Sequence, residues 1–113
     1  MAQQPTKTAK TDQLTLSIRF KSTPENAAKF KEVLTNLFDT ISHEANFVSA
    51  NLHESTEKPG EFLVYEIWND NISHFLNVQM KSSYAVDFEK ALKEMNVERE
   101  PAAYTMFGQW TKK

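Results

Sequence analysis

The chain has 113 residues, of which 40% are hydrophobic, 25% are charged and none is cysteine, and its net charge is -2 at pH 7. This profile fits one globular domain of a size that folds without disulfides or metal. It argues against nucleic acid as a partner, and no apolar run approaches the roughly 18 residues that a membrane span needs.

The N-terminal residues 1–12 are predicted to form a flexible tail ahead of a single domain over residues 13–113. Apart from Met1, Ala2 and Ala9 the tail is polar. Such a stretch cannot bury enough surface to offset its ordering entropy. It also lacks the apolar core of a secretory signal peptide, so the default expectation is a cytoplasmic protein.

The next segment predicts a strand followed by a helix. Apolar and polar residues alternate from Leu14 to Phe20, which is the pattern of a strand with one apolar face. Thr23 and Pro24 then form a helix-start signal. Apolar residues recur at helical spacing after it and predict a helix over about residues 24–44.

The central part predicts a hairpin and a split helical region. Residues 47–54 and 62–68 have strand character and are joined by a polar turn that contains Pro59-Gly60. Asp70 is a candidate N-cap for a short helix. Helical spacing restarts at Ser82 or Ser83.

The C-terminal part predicts a break at Pro101 and a last strand over residues 104–110. The element order is then β-α-β-β-α-β, the ferredoxin-like pattern. It predicts an α+β fold with a four-stranded antiparallel sheet and the helices on one face.

The third predicted strand has two mainly apolar faces, one with Phe62, Val64, Glu66 and Trp68, the other with Leu63, Tyr65 and Ile67. Helices cover only one face of such a sheet, so a second cover is needed. We expect a homodimer packed sheet against sheet. The alternative is a monomer whose tail or C-terminus folds over the sheet.

Residues 62–70, FLVYEIWND, resemble the F-x-x-Y-E-x-W-x-D signature of the antibiotic biosynthesis monooxygenase family, and residues 52–55, LHES, are similar to its L-H-x-S. The resemblance covers about residues 14–110. It implies a dimeric α+β barrel of ferredoxin-like βαββαβ subunits, each with a pocket between sheet and helices. Members include cofactor-independent monooxygenases for polycyclic phenols or quinols, and others degrade heme. Asn77 stands where many members have histidine.

Three residues are candidates for catalysis. Glu66, in an otherwise apolar strand, is a candidate proton carrier, or else a structural ion-pair partner of Arg19. His53 is a second candidate for moving the proton, or an ordinary surface histidine. Asn77 is a candidate donor to a developing oxyanion, or a solvated position on a helix flank.

The predicted pocket residues are Phe47, Trp68, Phe75 and His74, with Trp68 alternatively filling the core or the dimer seam. No metal is expected, because the three histidines lack ligand spacing. No cofactor is expected either.

The expected function is a cofactor-independent monooxygenase acting on a small aromatic or quinol-like molecule. The alternative is a non-catalytic ligand-binding or regulatory barrel, because a fold hosts many functions. Heme degradation ranks last, since the positions at which heme-degrading members carry tryptophan and histidine are Asn77 and about Asp87 here.

Overall fold

The structure, a computed structural model, describes residues 13–113, and the predicted flexible tail lies outside the described residues. The strands are β1 (Leu14–Lys21), β2 (Phe47–Glu54), β3 (Glu61–Trp68) and β4 (Glu98–Thr105). The helices are α1 (Ala27–Ile41), α2 (Ile72–Asn77) and α3 (Ser83–Glu94). Short 3₁₀ turns, Pro24–Asn26 and Gln79–Lys81, precede α1 and α3.

The four strands form one antiparallel sheet in the order β2-β3-β1-β4. The predicted ferredoxin-like α+β fold is therefore confirmed. The two central strands, β3 and β1, contain the longest apolar alternation, as expected for strands that pack against helices. In their register Leu16 lies opposite Glu66.

The prediction for the last strand was wrong. β4 ends at Thr105 and runs through Pro101, and residues 106–113 form neither helix nor strand. Among the strands that the structure describes, β4 pairs only with β1 and lies at the edge of the sheet. An edge strand tolerates a proline because one side of its backbone needs no partner, so Pro101 does not end the strand.

Side-chain caps fix where the 3₁₀ turn ahead of α1, the helix α2 and the helix α3 begin. Thr23 accepts a hydrogen bond from the Asn26 amide, and Ser82 accepts one from the Ala85 amide. The cap of α2 is Asn71, which accepts from the His74 amide, and not Asp70 as predicted. No helix within residues 13–113 has both the length and the apolar character to cross a membrane.

The core lies between the helices and one face of the sheet. Four phenylalanine rings meet near one end, with centroid distances of 5.2 to 6.3 Å. These four rings are Phe20, Phe30, Phe62 and Phe88. A second cluster of buried side chains surrounds Trp68 at the other end.

The opposite face of the sheet has no helix against it in the described part of the chain. On β3 this face presents Leu63 and Tyr65, which are 39% and 41% exposed. Their neighbours on the helix side, Phe62 and Val64, are 5% and 0% exposed. We call the face that contains Leu63, Tyr65 and Ile67 the open face, and the other the covered face.

Candidate functional site

A cavity of about 450 Å³ lies between the covered face and the three helices. Its walls are mostly apolar, as in ligand sites of small molecules. The polar residues in the lining are Glu66, Gln79, Tyr84, Glu89 and Arg99. The apolar lining includes Leu16, Ile18, Leu37, Phe38, Ile41, Trp68, Ile72, Phe75, Leu76, Met80, Ala85, Phe88, Pro101, Ala102 and Ala103.

Glu66 projects from the middle of β3 into the covered face and is 5% exposed. The indole Nε1 of Trp68, two residues along the same strand, donates to its Oε1 at 2.8 Å. The ion pair with Arg19 considered above is wrong. Arg19 is exposed and pairs in register with Leu63, on the open face.

Burial raises the pKa of Glu66 from 4.5 to about 7, and the Trp68 hydrogen bond opposes this change in pKa. Desolvation disfavours the carboxylate, while a donor to the charged form favours it. The side chain therefore has both protonation states available at neutral pH. That is the property of a group that takes up and returns a proton during a reaction.

An aromatic wall flanks this carboxyl group. The Trp68 ring is 1% exposed and makes edge-to-face contacts with Phe47 at 5.3 Å and Phe75 at 5.2 Å between centroids. Trp68 and Phe75 line the cavity, while Phe47 supports Trp68 from outside it. Because Trp68 is 1% and Phe75 8% exposed, the two rings bound the cavity beside Glu66 but present little free surface to it.

The cavity also has a polar wall, formed by Tyr84 and Gln79, which the sequence did not predict. The phenol of Tyr84, in the first turn of α3, donates to Oε1 of Gln79 at 2.7 Å. Burial raises the pKa of Tyr84, a hydrogen bond with Ser82 opposes this change, and the hydrogen bond and negative charge of Glu44, with the charge of Glu66, raise the pKa further. The phenol is therefore neutral at physiological pH. Gln79 is 8% exposed, but its burial has no signal in the sequence.

An ion pair closes the side of the cavity that faces the edge strand. Both terminal nitrogens of Arg99 on β4 contact the two carboxylate oxygens of Glu89 on α3, one of them at 3.0 Å. This two-point geometry is the strongest form of the pair and fixes the orientation of both groups. It links α3 to β4 at the rim.

The other residues predicted for the site lie elsewhere. His53 is exposed, pairs in register with Leu63 on the open face, and its Nδ1 lies 3.2 Å from the Leu63 carbonyl. Asn77 is exposed at the end of α2 and is not part of the lining. His74 lines a separate, open groove and contacts Asp70.

The structure therefore brings Glu66, Trp68 and Phe75 together around one cavity, while Phe47, His53, His74 and Asn77 lie outside its lining. The catalytic and binding roles of all seven stay predictions. Within residues 13–113, no group of three or more histidine, aspartate or glutamate side chains is placed to hold a metal ion.

Comparisons with known proteins give a consistent result. A family model described as antibiotic biosynthesis monooxygenase matches residues 14–77, more than half of the chain. A protein of Pestalotiopsis microspora named "Putative monooxygenase" is 27% identical over 85 residues, 75% of this chain and 71% of that protein.

Two solved structures share the fold. SnoaB, a cofactor-independent oxygenase from Streptomyces nogalater, has a TM-score of 0.75 and 18% identity over 89% of this chain and 99% of its own. A "putative antibiotic biosynthesis monooxygenase" from Deinococcus radiodurans has a TM-score of 0.75 and 21% identity over 88% of this chain and 96% of its own. At these identities the likeness concerns the fold.

Proposed function

The chain belongs to the antibiotic biosynthesis monooxygenase family, and we propose that it is a cofactor-independent monooxygenase for flat, hydroxylated aromatic molecules. One observation carries the proposal. Glu66, with a pKa of about 7, is buried at an otherwise mostly apolar cavity large enough for a fused aromatic ring system. A proton acceptor in a dry pocket is what activation of a phenol toward dioxygen requires.

The shape of the cavity supports this substrate class. Trp68 and Phe75 bound one side of the cavity, and the partly exposed side chains of Phe38, Met80 and Phe88 offer apolar surface against which a planar ring packs. The substrate's hydroxyl then points toward Glu66. The apolar lining keeps water away from the anion that forms, which strengthens each remaining electrostatic contact.

The reaction balances without a cofactor, as 1-naphthol illustrates. Glu66 takes the hydroxyl proton, and the naphtholate transfers one electron to dioxygen. The resulting superoxide and aryloxyl radical combine at the para carbon. The peroxide takes the proton back from Glu66 and then loses water as the para hydrogen leaves. One 1-naphthol and one dioxygen give one 1,4-naphthoquinone and one water.

We also propose that two copies pair through the open face. Leu63, Tyr65 and Ile67 form an apolar stripe on β3, the strand between β1 and β2. Exposed apolar patches of this kind mark interaction surfaces. Pairing there leaves the cavity, which is on the covered face, free to bind a small molecule.

The test is oxygen uptake by the full chain with 1-naphthol and 1-anthrol, with the quinone product measured by chromatography. We expect turnover above the uncatalysed rate and a loss of about 10²–10⁴-fold in Glu66→Gln. Circular dichroism and thermal melting show whether the variant is folded. His53→Ala and Asn77→Ala serve as comparators.

Three outcomes would contradict the proposed function or the role that it gives to Glu66. Saturable binding of the naphthol without turnover would favour the alternative, a non-catalytic barrel that binds small ligands. Full turnover in folded Glu66→Gln would remove Glu66 from the reaction. Hemin is included in the panel, and a Soret shift on binding would favour heme as the ligand.

A further inference from the structure

We infer that Tyr84 binds the substrate's hydroxyl group as a hydrogen-bond acceptor, because a chain of side-chain hydrogen bonds ending at Asp70 fixes its orientation. The inference rests on the proposed function, since it assumes a phenolic ligand in the cavity. It assigns a specificity-determining role to Tyr84 and positioning roles to Gln79, Asn46 and Asp70.

The chain of hydrogen bonds crosses from the cavity to the surface. Tyr84 Oη contacts Gln79 Oε1 at 2.7 Å, and Gln79 Nε2 contacts Asn46 Oδ1 at 3.2 Å. Asn46 Nδ2 contacts Asp70 Oδ2 at 3.0 Å. The other oxygen of Asp70 contacts His74 Nδ1 at 2.8 Å. Four separate segments of the chain thus meet in one polar network.

The chemistry of the groups sets the direction of every bond. The carboxylate of Asp70 can only accept, so the amide nitrogen of Asn46 donates to it. The Asn46 oxygen then faces Gln79 and accepts from the Gln79 nitrogen. The Gln79 oxygen is left for Tyr84, whose hydroxyl must donate. Because each amide is polarised by the next, the bonds strengthen one another.

Tyr84 has only one hydroxyl proton, and two acceptors hold it: Gln79 Oε1 at 2.7 Å and the carboxylate of Glu44. Burial and the Glu44 carboxylate raise the pKa of Tyr84, so the group stays a phenol. Toward the cavity its oxygen therefore offers lone pairs and no proton. The second group there, Glu66, also accepts when it is ionised. A ligand with a hydroxyl proton can donate it to either acceptor, whereas a neutral ligand that only accepts fits neither while Glu66 is ionised. Once Glu66 has taken the proton, it is the donor to the naphtholate oxygen.

The consequence is a preference for phenols over acceptor-only relatives. A phenol donates its hydroxyl proton to the Tyr84 oxygen or to Glu66. An aryl ether or a quinone has no hydroxyl proton to donate, so its oxygen would face the lone pairs of the Tyr84 oxygen without a hydrogen bond between them. The same contact that binds the substrate is thus lost when the substrate becomes a quinone, which favours product release.

The probes are 1-naphthol and 1-methoxynaphthalene, which share a ring system and differ in the hydroxyl proton. Binding is measured by calorimetry without oxygen, at about pH 8, where Glu66 with its pKa of about 7 is mostly ionised. The readout is the ratio of the two dissociation constants. A general loss of packing changes both constants and leaves their ratio in place.

Three variants test the direction of the chain. Tyr84→Phe removes the acceptor for the ligand. Gln79→Met removes the acceptor that lies 2.7 Å from the tyrosine hydroxyl and leaves only the Glu44 carboxylate to compete with the ligand for its proton. Gln79→Glu keeps an acceptor for Tyr84 but has no N–H for Asn46 Oδ1, so it is the conservative variant that separates the Tyr84 contact from the rest of the chain. We expect the full chain to prefer the naphthol by about tenfold or more. This preference should fall by about threefold or more in Tyr84→Phe and Gln79→Met and persist in Gln79→Glu.

The outcomes separate this inference from the proposed function. Equal binding of both probes by the unmodified chain, or an unchanged ratio in folded Tyr84→Phe, overturns the inference and leaves the monooxygenase proposal in place. A ratio that falls in Tyr84→Phe but not in Gln79→Met overturns the role of the network. Failure of both probes to bind overturns the inference and the phenol-binding cavity together. If Gln79→Met does not fold, Tyr84→Phe alone decides.

Discussion

The two faces of the sheet are built from the same four strands and differ in nearly every other respect. On the covered face, Phe62, Val64 and Trp68 are almost completely buried and Glu66 is buried among them. On the open face, Leu63 and Tyr65 are about two-fifths exposed. The covered face therefore suits a reaction that needs a site without water, and the open face suits binding to a flat protein surface.

A single irregularity in β2 decides which face His53 occupies. Phe47 pairs with Trp68 on the covered face, but the register shifts between Phe47 and Ser49, so that His53 pairs with Leu63 on the open face. Without this bulge, alternation would place His53 on the same face as Phe47. A shift of one residue thus separates two groups, Glu66 and His53, that the sequence predicts for one site.

The largest expected effect is a difference in stability between adjacent residues on opposite faces. Phe62→Ala should lower the free energy of unfolding by about 3–5 kcal/mol, because it removes a buried ring that contacts Phe30. Leu63→Ala should lower it by less than about 1 kcal/mol in the monomer. Urea unfolding at low protein concentration measures both. Similar losses in the two variants would contradict the assignment of the faces.

The second prediction concerns the burial of Glu66 and its dependence on pH. The pKa is about 7 in the folded protein against a reference of 4.5, so the folded state binds the proton more tightly. Stability contributed by this group is present below about pH 4.5 and is lost as the pH rises through 7. The loss amounts to about 3 kcal/mol.

Glu66→Gln removes this titration. We expect the variant to match the parent near pH 4.5 and to exceed its free energy of unfolding by up to about 3 kcal/mol at pH 8. Urea unfolding across the pH range measures the difference. Glu57→Gln, at an exposed turn residue, is the matched control and should show no such trend. A pH-independent difference for Glu66→Gln would contradict the buried position of the carboxyl group.

Much of the covered face could be predicted from the sequence. The alternation in β1, the helical stripe of α1 and Glu66 within the otherwise apolar residues 62–68 each give a local pattern, and each appears as expected. Other features depend on tertiary contacts. The bulge in β2, the edge position that accommodates Pro101 and the burial of Gln79 are set by neighbours that are distant in sequence, so local spacing does not reveal them.

The third prediction tests the open face as an interface between two copies. Tyr65→Lys places a charge in the apolar stripe, and in a symmetric pair it does so twice. We expect the dissociation constant of the dimer to rise by at least about tenfold, because the two ammonium groups must either lose their water or move out of the interface between the copies. Analytical ultracentrifugation measures this, with Asn51→Lys, on the same face but outside the stripe, as a milder comparison. A parent chain that is monomeric at high concentration would contradict the pairing.

The smallest expected effect is that of His53→Ala on turnover. His53 is exposed on the open face, while Glu66 and the cavity lie on the covered face, so the imidazole has no path to the substrate within one chain. We expect oxygen uptake with 1-naphthol to change by less than about threefold, which is below 1 kcal/mol of activation free energy. The assay is run above and below the dissociation constant of the dimer. A loss close to that of Glu66→Gln at both concentrations would show that His53 reaches the substrate, and the separation of the two faces would then be wrong. A loss of oxygen uptake seen only above the dissociation constant of the dimer would instead mean that His53 of one copy contributes to the cavity of the other.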